Sequence, residues 1–250
     1  MINLSSIRSF LDSLGISEPK TQAIICEEDP NSYYSEQYKS LASKLLSPQE
    51  GRQLKSVIIT SSQPGEGKTT TVCNLAITMV RTFSKKVIIV DGDLRKPSIH
   101  GFFEAEVEPG LTDYLADQTN SNPLGSFLKN SGIENLKILP AGSISQDPGQ
   151  LLNNRKMTNL NDSLSEICDF VIFDTSPVLF TSDAQALGVH GDLVLFLVQA
   201  GVTPRKMIQQ AFSRLRDTGS EPDACIMTNT KRTKAPLKYL YGSNYNNYYD

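Results

Sequence analysis

The chain has 250 residues, of which 39% are hydrophobic, and this is enough for one sizeable α/β core. A formal net charge of −3 and a pI near 5.5 give no overall attraction to a polyanion, so nucleic acid is not an expected partner. Four widely spaced cysteines and two histidines argue against a disulfide framework, a zinc knuckle and a Ser-His-Asp hydrolase.

Residues 1–50 are predicted to form an N-terminal helical extension. Short amphipathic helices are expected around residues 5–14 and 35–46. The first fourteen residues lack the continuous apolar stretch of a secretory signal, and no run reaches transmembrane length. We therefore expect a cytoplasmic protein that reaches the inner face of the membrane only through a partner.

From residue 51 onward, short apolar, β-branched runs alternate with helical patterns. Runs that are continuously hydrophobic are typical of strands covered on both faces, and hence of a parallel sheet. Alternation of such strands with helices predicts a doubly wound α/β fold of the P-loop NTPase class over residues 51–230, with helices on both faces. The predicted strands are 57–60, 87–90, 136–139, 170–173, 193–198 and 224–227, and the predicted helices are 69–82, 153–167 and 204–216.

A glycine loop follows the first of these strands. Gly65 and Gly67 remove the Cβ atoms that would keep the backbone from wrapping around phosphate, and a helix N-terminus follows them. Lys68 is expected to reach the β- and γ-phosphates of ATP, and Thr69 to place its hydroxyl on Mg²⁺. Ser62 stands where the general P-loop pattern has glycine, so a plain glycine turn remains the alternative. The predicted nucleotide contacts are Gln63, Pro64, Gly65, Glu66, Gly67, Lys68, Thr69 and Thr70.

Aspartates follow two other buried strands. Asp91 and Asp93 follow the second predicted strand, and Asp174 follows the fourth. Carboxylates suit Mg²⁺, so Asp91 and Asp174 are expected to hold the metal with Thr69. Asp93 is the candidate base for an incoming hydroxyl. Asn229, after the last strand, is predicted either to contact adenine or to form a turn.

Residues 231–250 are predicted to be a flexible tail that is first basic and then rich in tyrosine. Polar neighbours offer tyrosine rings nothing to pack against, which favours a chemical role as phosphoacceptors. An adhesive segment or a tail that docks on a partner is the alternative. Five of the nine tyrosines fall here: Tyr239, Tyr241, Tyr245, Tyr248 and Tyr249.

With these motifs the sequence resembles the bacterial tyrosine kinases that govern capsule and exopolysaccharide export. The resemblance runs from about Ser35 to Asp250 and includes the glycine loop, the acidic motif 90–97 and the strand ending at Asp174. The segments 110–115, 139–142 and 182–185 are similar as well.

The resemblance implies an ATP- and Mg²⁺-dependent tyrosine autokinase in which Lys68, Asp91, Asp93 and Asp174 are catalytic. It implies a homo-oligomer that phosphorylates its tails in trans, a membrane-embedded polysaccharide co-polymerase as activator, and a cognate tyrosine phosphatase. Members commonly carry a Glu-x-x-Arg-x-x-Arg helix that makes a ring. Here Lys39 and Ala42 replace the two arginines after Glu36, and lysine lacks the bidentate fork of arginine.

Two other functions fit parts of the pattern. An ATPase of the MinD/ParA kind shares the fold, but those ATPases carry a lysine early in the loop where this chain has Gln63. A non-catalytic nucleotide-binding scaffold would keep every motif.

Overall fold

The computed structural model describes residues 24–48, 51–117, 122–145, 147–153 and 155–230. The predicted helix at 5–14 and the tail at 231–250 lie outside these ranges. Among the described residues, no helix has the length and apolar character that crossing a bilayer requires.

A seven-stranded, mainly parallel sheet forms the centre of the chain. Its strand order is β3-β4-β2-β5-β1-β6-β7, and only the short β3 runs antiparallel, against β4. The six predicted strands are all present. The strands are β1 (Ser56–Ser61), β2 (Val87–Asp91), β3 (Lys129–Asn130), β4 (Leu136–Leu139), β5 (Phe170–Asp174), β6 (Val194–Gln199) and β7 (Ala224–Thr228).

Helices cover both faces of this sheet, which confirms the doubly wound class. The predicted helix at 153–167 is present as one helix from residue 155 to 167, and a separate short helix that starts at Pro148 and is capped by Asp147 precedes it. The helices are α1 (Ile25–Glu28), α2 (Tyr33–Leu46), α3 (Lys68–Phe83), α4 (Ile99–Phe102), α5 (Leu111–Ala116), α6 (Pro148–Leu152), α7 (Arg155–Ile167), α8 (Asp183–Gly188) and α9 (Arg205–Asp217), with a 3₁₀ turn at Leu124–Phe127.

Alternate residues of the central strands enter two separate cores. Val57 and Ile59 of β1 pack with α3, whereas Ile58 packs on the opposite face. This division explains the continuous hydrophobic runs, since a strand buried on both faces has no solvent side. The edge strand β7 differs: Cys225 and Met227 are exposed, so the expectation of burial on both faces is wrong for this strand.

Candidate active site

The glycine loop joins β1 to α3 at the carboxyl edge of the sheet. Gly65 (φ +82°) and Gly67 (φ +88°) both lie in the left-handed region, where a side chain is strained. Space beside Gly65 is open, whereas a Cβ on Gly67 would lie 3.7 Å from the Thr228 methyl carbon. The sixteen-residue helix α3 begins immediately after Gly67. The free N–H groups of its first turn therefore lie at the site.

Lys68, the first residue of α3, is 7% exposed and points into the site. Its Nζ donates to Ser61 Oγ at 3.2 Å. Burial lowers the pKa of this ammonium, and attraction to Asp174, Asp93 and Glu66 opposes that shift. Lys68 is thus a desolvated cation beside acidic groups, as contact with a terminal phosphate requires.

Two carboxylates face each other beside this lysine. Asp91 and Asp174 are register partners at the ends of β2 and β5. Thr69 Oγ1 donates to Asp174 Oδ2 at 2.6 Å, and Asp91 Oδ2 accepts the main-chain N–H groups of Ser98 and Ile99, both at 3.0 Å. The remaining oxygen of each carboxylate, Oδ1, is buried and has no partner among the described residues.

The electrostatics of these two acids favour a cation. Burial raises the pKa of Asp174 to about 6, and burial together with the Asp174 charge raises the pKa of Asp91 well above its ordinary value. Orphaned buried oxygens are costly unless a ligand pairs with them. Thr69, Asp91 and Asp174 therefore fit Mg²⁺.

Within the described residues, no group of three or more His, Cys, Asp or Glu side chains encloses a metal position. In nucleotide sites, Mg²⁺ takes most of its ligands from phosphate oxygens and water.

Asp93 occupies the loop after β2, half-buried, with Oδ1 accepting the Lys96 N–H at 3.1 Å. Burial raises the pKa of this carboxyl. The loop passes close to β5 at Gly92, whose N–H donates to Asp174 O at 2.9 Å. A Cβ on Gly92 would lie 2.8 Å from that same oxygen, so only glycine lets Asp91 and Asp93 flank Asp174.

A groove of about 690 Å³ leads away from the glycine loop between α2 and β7. Its lining includes Gly65, Gly67 and Thr70 at the glycine loop, together with Asn229 and Tyr34. Asn229 has φ +54°, a left-handed conformation that asparagine tolerates better than most residues. Asn229 thus lies at a bend that lines the groove, and its contact with adenine stays a prediction.

The sequence and the fold are similar to those of proteins of known class. The family model described as "AAA domain" matches residues 54–218. The tyrosine-protein kinase YwqD of Bacillus subtilis (strain 168) is 34% identical over 220 residues, which is 88% of this chain and 91% of that protein. The chain belongs to the bacterial tyrosine-protein kinases.

Solved structures support the assignment of this chain to the tyrosine-protein kinases. The chimerical protein CapA2B2 superposes with a TM-score of 0.75 at 28% identity, over 90% of this chain and 99% of that one. The cell division ATPase MinD of Pyrococcus furiosus has a TM-score of 0.59 at 22% identity, over 72% of this chain and 74% of that one, and this likeness shows the fold alone.

Several contacts around the site of this tyrosine-protein kinase were not foreseen in the sequence. Arg95, two residues after Asp93, binds the fully buried Asp183 with Nε to Oδ2 at 2.9 Å. Both residues lie in motifs singled out above, at 90–97 and 182–185, but spacing alone gave no sign that they pair. Ser61 begins the glycine-loop motif, but its bond to Lys68 was not predicted, and neither was the bond from the Ser98 N–H to Asp91.

In the helix that corresponds to the family's ring helix, residues 39 and 42 make contacts within the chain of this tyrosine-protein kinase. Lys39 Nζ binds Glu36 Oε1 at 2.7 Å, one turn away in α2. Ala42 is fully buried in the core that includes α3. The five tail tyrosines lie outside the described residues.

Proposed function

We propose that this chain is an ATP- and Mg²⁺-dependent protein-tyrosine autokinase that phosphorylates its C-terminal tyrosine cluster between subunits. The observation that carries the proposal is the convergence of the glycine loop and Lys68 with two unpartnered carboxylate oxygens, on Asp91 and Asp174. Membership of the tyrosine-protein kinases supports the choice of acceptor.

Each side chain has a specific task in the proposed transfer. Main-chain N–H groups of the loop and the Lys68 ammonium bind the β- and γ-phosphates, and Asn229 contacts the adenine in the groove. Thr69, Asp91 and Asp174 hold the metal. Bound Mg²⁺ supplies neutralisation of the phosphate charge and polarisation of the terminal phosphoryl group.

Asp93 is the proposed base. A tyrosine hydroxyl has a pKa of about 10, so its proton has to leave as the phosphorus–oxygen bond forms. The proton passes to the Asp93 carboxylate, the phenolic oxygen bonds to phosphorus, and ADP leaves. The raised pKa of Asp93 strengthens it as a base compared with an exposed aspartate.

The proposed setting is capsular or exopolysaccharide synthesis and export, at the inner face of the membrane. A membrane-embedded co-polymerase would activate the kinase, and a cognate phosphatase would reverse it. The support is the family to which the chain belongs.

The test is to incubate the full chain with ATP and Mg²⁺, with and without the cytoplasmic segment of the activator, and to probe for phosphotyrosine. Labelling is expected, and Lys68→Ala and a chain truncated after Lys238 should both lose it. Phosphate release without phosphotyrosine would favour an ATPase of the MinD kind. Neither product, in either arm, would favour a nucleotide-binding scaffold.

A further inference from the structure

Glu66 places a carboxylate inside the loop that is proposed to bind phosphate. The side chain lies between the two loop glycines and is 1% exposed. Its Oε2 accepts the main-chain N–H of Gln63 at 2.9 Å, which ties the entry of the loop to its centre. A buried carboxylate requires further hydrogen bonds, because unpaired it would be expensive to desolvate.

Thr203 supplies the second bond from the turn that follows β6. Its hydroxyl accepts the Gln199 N–H at 3.1 Å and donates its proton to Glu66 Oε1. The Thr203 N–H also donates to Gln199 O at 3.1 Å, so the turn that carries the hydroxyl is closed on itself. The Thr203 side chain is therefore held in place before it meets the loop.

A third bond comes from the neighbouring strand β7. Thr228 Oγ1 donates to the main-chain oxygen of Glu66 at 2.9 Å. Residue 66 is thus anchored through its side chain by Thr203 and through its backbone by Thr228. Both anchors lie more than 130 residues from the loop in sequence, at separations of 137 and 162.

We propose that Thr203 is a positioning residue for nucleotide binding, acting through Glu66. By fixing the Glu66 carboxylate it fixes the Gln63 N–H and the backbone between them, so that the loop is ordered before the phosphates arrive. Preorganisation raises affinity by removing the cost of ordering a binding loop. The inference rests on the proposed nucleotide site.

The first test compares nucleotide affinity among threonine variants of the full chain. Thr203→Val keeps the shape but removes the hydroxyl, and should weaken binding of fluorescent ADP with Mg²⁺ about tenfold. KM for ATP should rise by a similar factor while kcat at saturation stays within about twofold, since the hydroxyl touches no reacting atom. Thr203→Ser should restore the affinity.

Thr218→Val is the matched control. Its hydroxyl donates to main-chain oxygens at the end of α9, so the same methyl-for-hydroxyl change is made away from the loop. Its Kd should equal that of the unaltered chain. Equal melting temperatures and equal Kd values in the two valine variants would overturn the proposal.

A double-mutant cycle separates positioning through Glu66 from a direct effect of Thr203. Glu66→Ala should weaken binding, and adding Thr203→Val to it should cause no further loss, because the bond is already gone. If the two substitutions weaken nucleotide binding by factors that multiply in full in the double variant, the proposal is overturned. If Thr203→Val fails to fold, Glu66→Gln, which has one acceptor fewer, serves in its place and should also raise Kd.

The unaltered chain and Lys68→Ala are measured in the same series. Binding by the former and its loss in the latter support the proposed nucleotide site independently of Thr203. If Thr203→Val then binds nucleotide with the affinity of the unaltered chain, only the positioning role of Thr203 is contradicted. If the unaltered chain does not bind nucleotide, both that role and the proposed nucleotide site are contradicted.

Discussion

At the scale of single residues, the site contains groups that serve a ligand at the expense of the fold. Asp91 and Asp174 are buried side by side with one unpartnered oxygen each. Their raised pKa values show that the folded chain disfavours ionisation of both. Buried acids whose ionisation is unfavourable are typical of functional positions, because a fold selected for stability alone would use apolar residues there.

We therefore expect Asp174→Asn to stabilise the metal-free chain at pH 7.5 while abolishing tyrosine phosphorylation. The amide keeps an acceptor for Thr69 Oγ1 but removes a buried charge beside Asp91, which should raise the free energy of unfolding by about 1 to 3 kcal/mol. The measurement is urea unfolding in the presence of a chelator. Asp162→Asn, at an exposed position in α7, should change the stability by less than about 0.5 kcal/mol. Destabilisation by Asp174→Asn would contradict this account of the carboxylate pair.

At the scale of elements, two segments singled out in the sequence, 110–115 at the start of α5 and 139–142 at the end of β4, meet beyond the sheet. The Leu111 N–H donates to Pro140 O at 2.8 Å, and the Thr112 N–H donates to Ala141 O at 2.9 Å. Glycine makes this approach possible, because a Cβ on Gly142 would lie 2.5 Å from Asp113 Oδ2 and 2.6 Å from Thr112 Oγ1. The resemblance in these two segments therefore corresponds to one packed unit.

Gly142→Ala should lower the free energy of unfolding by about 2 kcal/mol or more, because it adds an overlap to an unfavourable left-handed backbone. Gly132→Ala is the matched control: φ is +79° there against +85° at Gly142, but nothing lies within 4 Å of the added carbon. The control should cost only about 1 kcal/mol. If the two alanine variants lose the same free energy of unfolding in denaturant, the close approach of the two segments does not contribute to stability.

At the scale of the whole molecule, the strand order concentrates the chemistry at one edge. β1 lies between β5 and β6, and β2 follows β5, so the glycine loop, Asp174 and Asp91 end next to one another. The described chain ends at Thr230, on the groove that leads from the glycine loop. The tail sequence thus starts near a proposed active site, and length alone does not decide between its own site and a neighbour's.

Mixing two inactive variants tests transfer between chains. Lys68→Ala keeps the tail tyrosines but loses the phosphate contact, whereas the chain truncated after Lys238 keeps the site but loses the acceptors. With ATP and Mg²⁺, phosphotyrosine should appear on the Lys68→Ala chain only in the mixture. If the mixture gives no phosphotyrosine while the unaltered chain is labelled, transfer stays within one chain.

Local patterns in the sequence were enough to predict the fold class and six strands. The apolar runs of the inner strands needed only their own residues to indicate burial on both faces, and the glycine loop needed only its neighbours. The acidic positions after β2 and β5 were also predicted, because strand ends in a parallel sheet share one edge.

What only the tertiary structure decided is how distant residues pair. The exposure of β7 depends on its place at the edge of the sheet, and the partnership of Arg95 with Asp183 depends on where two loops meet. The bond from Thr203 to Glu66 spans 137 residues. No local pattern encodes such contacts, because each residue alone is compatible with many partners and only chain topology selects one.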